Sequence, residues 1–104
     1  MRGLMMDTPL LISSLLEHAT AVHGAVEIVT RTVEGPIHRY TWSQAAERAR
    51  QLAQVLESLS VREGDAVATL AWNTHRHLEL YYGVSGMGAM VHTVNPRLHP
   101  SQLV

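Results

Sequence analysis

The stretch that decides the fold runs from Ala66-Val67-Ala68-Thr69-Leu70-Ala71-Trp72, through Thr74-His75-Arg76-His77-Leu78-Glu79, to Met90-Val91-His92-Thr93-Val94-Asn95. Ala66 to Trp72 is an apolar run of strand length, which predicts a strand buried on both faces. Thr74 to about Met87 predicts a helix, with Leu78, Tyr81, Tyr82 and Val84-Ser85 along its middle and end. Met90 to Asn95 predicts a second strand. Two strands joined by a crossover helix form a βαβ unit, which is parallel and right-handed.

Upstream of that unit, Thr41-Trp42-Ser43-Gln44 has the spacing of a capping box. The Thr41 hydroxyl can accept from the N–H three residues on, while Gln44 reaches back. Ala45, Ala49, Leu52, Leu56 and Leu59 then share one helix face, with Arg48, Arg50, Gln51, Gln54 and Glu57 largely on the others. The same spacing fits a heptad seam, but the run is short and opens on alanines. Close packing on a sheet is therefore expected. Before it, Val26 to Thr32, a Glu34-Gly35-Pro36 turn and Ile37 to Thr41 read as an antiparallel hairpin. A first helix is expected with Thr8 as cap, Pro9 at its first position and Gly24 as its stop. Its buried face would be Ile12, Leu15, Leu16, Ala19 and Val22. After the second strand, Pro96 and Pro100 punctuate a polar turn, and Pro100 opens a last helix through Ser101-Gln102-Leu103-Val104. The expected class is thus α/β: helix, hairpin, helix, then a parallel βαβ unit. One turn of helix does not repay its nucleation, and the βαβ unit wants more sheet, so residues 1–104 are expected to be one partial domain. Residues 1–41 give helix plus hairpin, and 42–104 give helix, βαβ unit and helix start.

The composition narrows the function classes. Hydrophobic residues make up 46% and charged residues 16%, which places the chain among packed globular proteins. A formal net charge of −1 gives no electrostatic reason for a nucleic-acid or anionic-membrane partner. There is no cysteine, which removes thiolate catalysis and cysteine–zinc sites and fits a reducing, cytoplasmic setting. Arg2 precedes Leu4, Met5, Met6, Leu10, Leu11 and Ile12, but Asp7 and Pro9 interrupt this leader-like run. No apolar stretch approaches the roughly 20 residues of a membrane span.

Each candidate site has a structural rival. Gly83, Gly86 and Gly88 resemble a phosphate loop in composition, yet such a loop follows a strand and opens a helix. Here the glycines close a helix, and tight helix–sheet packing is the expected role. Of seven histidines, His75 and His77 are two apart on a helix and cannot share an ion from it. His75 and Glu79 could, but two ligands fall short of a catalytic zinc site. These groups are expected as polar side chains of the helix start, at the C-terminal edge of the sheet. Trp72-Asn73 and Val94-Asn95-Pro96 stand where the strands give way to loops. They could border a ligand crevice, although Asn73 is expected as a helix cap and Asn95 as a turn former. No Gly-x-Ser-x-Gly elbow or paired carboxylate is present.

The run from Val67 to Tyr82, continuing through Gly86-Met87-Gly88-Ala89 to His92-Thr93-Val94-Asn95-Pro96-Arg97-Leu98, resembles the bacterial medium- and long-chain fatty acyl-CoA synthetases. These belong to the AMP-forming, adenylate-forming ligase superfamily. The Tyr40-Thr41-Trp42-Ser43-Gln44 segment resembles that superfamily's early Thr-Tyr-x-Glu-Leu-like motif. The resemblance implies the N-terminal part of the large domain of an enzyme that uses ATP, Mg²⁺ and CoA. That enzyme makes an acyl-adenylate and pyrophosphate from a fatty acid, and the CoA thiol then displaces AMP. Its phosphate loop ending in Pro-Lys-Gly, adenine-binding strand, magnesium-binding Thr-Glu pair and catalytic lysine have no counterpart in these 104 residues. No catalytic, cofactor-binding or metal-binding residue is therefore expected in this chain, which would be inactive alone. Some members of the family pair through their N-terminal regions, so a homodimer of the longer protein is a further expectation. The non-catalytic alternative is an interaction module that self-associates through its Leu/Ala helix. Two departures from the family pattern stand out: Ser60 where the second helix usually ends on glycine, and Glu63 in place of proline before Gly64-Asp65. A non-glycine residue in a left-handed cap costs about 1 kcal/mol.

Overall fold

The structure is a computed structural model and describes residues 6–103. The leader-like residues Arg2, Leu4 and Met5, and Val104 of the last helix start, lie outside the described residues. The elements follow the expected order: α1 (Ile12–His23), β1 (Glu27–Arg31), β2 (Ile37–Thr41), α2 (Trp42–Ser58), β3 (Ala66–Leu70), α3 (His75–Gly86), β4 (Met90–Val94) and a 3₁₀ turn (Pro100–Gln102). β1 and β2 pair antiparallel from Glu27 opposite Thr41 to Arg31 opposite Ile37. Gly35, at φ 109°, supplies the left-handed residue that the connecting turn requires. β3 and β4 pair in parallel from Ala66 beside Met90 to Leu70 beside Val94. The two ladders are separate sheets, each of two strands.

The parallel pair departs from expectation in burial. Leu70 and Met90 stay more than half exposed, because among the described residues the strands lack the covering on both faces that parallel sheets usually have. The core is small and built largely of alanine: Ala45, Ala46, Ala49 and Ala89 are buried with Leu16, Tyr40 and Val84.

α1 starts later than the sequence suggests. Leu11, not Thr8, holds the cap position, no side chain caps it, and Pro9 lies before the helix. Of its expected face, Leu16 alone is buried; Ile12, Leu15 and Val22 are exposed and Ala19 is half-buried. The helix meets its neighbours along a narrow line near Leu16, which packs with Ala46, Ala49, Trp42 and Tyr82. α1 stops at Gly24 as expected, although at φ −53° the glycine is not left-handed. It permits close approach instead: a Cβ there would stand 2.5 Å from the Thr20 carbonyl oxygen and 2.6 Å from Ser43 Oγ. Ser43 N–H donates to the Gly24 carbonyl at 3.0 Å, tying the end of α1 to the start of α2.

The capping box of α2 forms as read: Gln44 N–H donates to Thr41 Oγ1 at 3.3 Å, and Thr41 N–H to Gln44 Oε1 at 2.9 Å. Its main partner is α3 rather than a sheet. At the crossing, a Cβ on Gly83 would come within 2.9 Å of the Ala49 carbonyl oxygen and 3.1 Å of Leu52 Cδ2. Gly83 thus serves helix–helix packing, which corrects the helix–sheet expectation. Gly86 faces open space, and Gly88, at φ 84°, makes the turn into β4. α2 ends on two bonds, Ser60 N–H to the Glu57 carbonyl at 2.9 Å and Val61 N–H to the Leu56 carbonyl at 3.0 Å. This is a Schellman closure, and Ser60 occupies its left-handed position at φ 69°, where glycine is usual.

Candidate functional site: a crevice at the ends of the parallel strands

Parallel strands of open α/β sheets present ligands at their C-terminal ends, where backbone leaves the ladder and loops diverge. A cavity of about 670 Å³ lies there. Its floor and rim are Trp72 and Asn73 after β3, Asn95 and Arg97 after β4, His77 and Tyr81 from α3, and the Arg31–Val33 end of the hairpin. Both sequence segments weighed as crevice borders, Trp72-Asn73 and Val94-Asn95-Pro96, line it.

Local hydrogen bonds shape each side. Asn95 forms its expected turn, with Arg97 N–H donating to Asn95 Oδ1 at 3.0 Å. That turn carries the Arg97 guanidinium over the Trp72 ring, 5.4 Å from its centroid, a cation–π contact across the two strand ends. Asn73 is not the helix cap. Thr74 takes that position without a side-chain bond, and Asn73 Oδ1 lies 3.0 Å from His77 Nδ1. An amide oxygen can only accept, so the partners place the proton on Nδ1. His77 Nε2 is then left to accept from the Thr69 hydroxyl at 3.1 Å. The ring is buried and fully paired, fastening the start of α3 to the last turn of β3. His77 thus stands at the helix start beside the strand ends, as expected, and it is buried there.

The electrostatics have one sign. No aspartate or glutamate lines the crevice, while Arg31 and Arg97 do. Among the described residues the ion pairs are Arg39–Glu27, Arg48–Glu79 and Arg76–Glu34, so both crevice arginines lack a carboxylate partner. Such a lining favours an anionic group. It does not suit magnesium, whose usual ligands are carboxylate oxygens. Among the described residues no three His, Cys, Asp or Glu side chains converge as a metal site.

A second polar cluster joins the hairpin, α2 and α3. Glu79, buried, takes a forked pair from Arg48, Nε to Oε1 at 2.7 Å and Nη2 to Oε2 at 3.1 Å. Glu79 is thereby committed to an arginine, which leaves His75 without the partner that a shared ion would need. Burial, reinforced by the Glu79 charge, pushes the Tyr40 hydroxyl up to about 12. At the hairpin tip the Arg76 guanidinium, 2.8 Å from Glu34, holds that carboxyl down at about 2.

The sequence reading passed over Arg31, Arg97 and the Arg48–Glu79 pair. Arg97, directly after the Asn95-Pro96 turn at a strand end, was within reach of sequence reasoning. Arg31 was not, because only the packing of the hairpin on α3 brings it to the parallel strands.

The fold agrees with what comparison finds. The family described as AMP-binding enzyme matches residues 16–104, and the chain belongs to that family. It is 51% identical over 104 residues to the 3-methylmercaptopropionyl-CoA ligase of Ruegeria pomeroyi, covering 100% of this chain and 19% of that protein. It is 47% identical over 103 residues to the medium-chain-fatty-acid–CoA ligase of Ectopseudomonas oleovorans, covering 99% and 19% respectively. Among solved structures, the anthranilate CoA ligase AuaEII, crystallised with anthranoyl-AMP, superposes with a TM-score of 0.79 at 24% identity. That match covers 93% of this chain and 18% of AuaEII, and it concerns the fold. The chain therefore spans about one fifth of the length of the curated relatives it matches. Among the described residues no helix is long and apolar enough to cross a membrane.

Proposed function

We propose that this chain is the N-terminal scaffold of an ATP-dependent fatty acid–CoA ligase, converting fatty acid, ATP and CoA to acyl-CoA, AMP and pyrophosphate. On this reading, residues 1–104 are part of the large domain, and the longer enzyme works with Mg²⁺ in the cytoplasm, as a homodimer. The chain itself contributes position rather than chemistry. It supplies no phosphate loop, no catalytic lysine and no carboxylate at the crevice, and such catalysis rests on placed charge around the transferring groups. The single observation behind a role for the crevice is its two arginines without a carboxylate beside them, Arg31 and Arg97. They suit the anionic part of a phosphate-bearing substrate, with the Trp72 ring as a flat wall beside it.

Two assays test this. The purified 104-residue chain, given MgATP, a fatty acid and CoA, should release no pyrophosphate and form no acyl-CoA; measurable turnover would refute the scaffold reading. In the full-length ligase, Arg97→Gln should raise the KM for ATP or CoA about tenfold, the loss of about 1.4 kcal/mol of charged hydrogen bonding. Unchanged KM values for both would remove the crevice from the reaction. The 51% identity to a 3-methylmercaptopropionyl-CoA ligase favours a second reading of the acid, a short thioether carboxylate. The ratio of kcat/KM values for octanoate and 3-methylmercaptopropionate decides between them. A self-association module without catalysis would instead show as a concentration-dependent dimer of the 104-residue chain in sedimentation.

A further inference from the structure

The crevice leaves unused the most unusual contact in the chain. Strand β2 meets the first turn of α3 through two imidazoles, His38 and His75, stacked with centroids 3.9 Å apart and planes 21° from parallel. Tyr40 packs edge-on against both rings, at 4.9 Å and 5.8 Å, and its hydroxyl donates to the His75 carbonyl at 3.5 Å. His75 is only 6% exposed. His38 Nε2 and His75 Nδ1 are both buried, and neither has a hydrogen-bond partner among the described residues.

Two neutral imidazoles can stack face to face. A proton added to either places a full charge within 4 Å of the other ring, in a site with no acceptor for the new N–H. The charges around His75 do not relieve it, and Arg39 of β2 and Glu47 of α2 line the outer cavity beside His38. Tyr40 faces the pair from β2, Arg48 from α2, and Arg76 and Glu79 from α3; Glu34 holds Arg76 from the hairpin turn. Glu79 carries the one favourable charge against His75, and it is already forked onto Arg48. We propose that the His38–His75 stack is a pH-sensitive latch, which holds the β1–β2 hairpin against α3 at neutral pH and releases it in mildly acidic conditions.

The sign follows from burial, which with His38 holds the His75 imidazole below its ordinary value. A histidine depressed in the folded state stabilises the docked hairpin above the unfolded value, about 6.5. That contribution is lost as pH falls below it. The hairpin end carries Arg31, Thr32 and Val33, one wall of the crevice, so release also opens the crevice. The latch stands independently of which reaction the crevice serves.

Hydrogen exchange of the hairpin amides, corrected for the intrinsic pH dependence, tests the latch in the full chain at pH 7.5 and 5.5. One linked proton changes the docking equilibrium by up to tenfold per pH unit. The wild type should therefore lose about tenfold protection across residues 27–41 while α2 amides hold theirs. His75→Phe keeps a flat ring without nitrogens, and it should show no such loss. Equal loss in His75→Phe, no loss in the wild type, or equal loss in α2 would each overturn the proposal. Should His75→Phe fail to fold, the His75 ring titration by NMR in the wild type decides. A midpoint below 6.5 supports the latch, and one at or above 6.5 overturns it.

Discussion

Replacing Ser60 by glycine should stabilise this protein, although the change removes a side chain and adds backbone freedom. Ser60 sits at φ 69°, the one positive-φ residue other than glycine among those described, and its N–H and that of Val61 close α2. An L-residue in the left-handed region carries about 1–2 kcal/mol of steric strain between its Cβ and the carbonyl oxygen. Glycine removes that strain and loses about 0.5–1 kcal/mol through the greater freedom of the unfolded chain. The net is about 0.5–1 kcal/mol in favour of Ser60→Gly, a rise in Tm on the order of 4 °C for a chain of this size. The control is Gln54→Gly, in the exposed middle of α2, which should cost about 1 kcal/mol because no strain is relieved there. Ser60→Val should be worse than wild type, since a branched Cβ tolerates positive φ least. Far-UV circular dichroism during thermal unfolding measures all three. The reasoning fails if Ser60→Gly lowers Tm as Gln54→Gly does, for the two glycines would then be entering the same helical backbone.

Arg48→Met should cost about 1.5–3 kcal/mol in urea unfolding, because it strands the buried Glu79 carboxylate, and adding Glu79→Gln should recover part of that loss. Gly83→Ala should cost about 1–3 kcal/mol, since its Cβ would stand 2.9 Å from the Ala49 carbonyl oxygen. Gly86→Ala has open space and should be neutral or slightly stabilising in the same assay, and similar losses in both would refute the placement of the α2–α3 crossing. Carboxyl NMR should find Glu34 titrating at about 2, held down by Arg76. The stability it lends is present above the ordinary glutamate value and is lost as pH falls towards 2, and Arg76→Ala should return the midpoint to the ordinary range.

What could be read from the sequence was what short segments encode by themselves. The Thr41–Gln44 box, the Gly35 turn and the parallel pair with its crossover helix depend on residues within a few positions of one another, or on a repeating period. The left-handed Ser60 followed from the resemblance, whose members usually carry glycine there. The failures share the opposite cause. Thr8 and Pro9 carry a valid start signal, yet the helix begins only at Ile12, and the face that α1 buries is set by Trp42, Ala49 and Tyr82. Gly83 looks like punctuation in sequence, while the neighbour that explains it, Ala49, lies on another element. The crevice was half legible. Its strand-end residues Trp72, Asn73 and Asn95 could be placed, but Arg31 enters from a hairpin more than sixty positions before Arg97.

The separation of the two ladders sets an order of events during folding. Arg31 and Ile37 pair across a short turn, whereas Ala66 and Met90 must wait for the whole of α3 between them. Loop closure and hairpin formation take about microseconds, and contacts of longer sequence separation come later. In a pulse-labelling experiment, Ile28 and Tyr40 should therefore shield their amides ahead of Val67 and His92. The antiparallel ribbon would then be in place as a template before the crossover helix settles beside it.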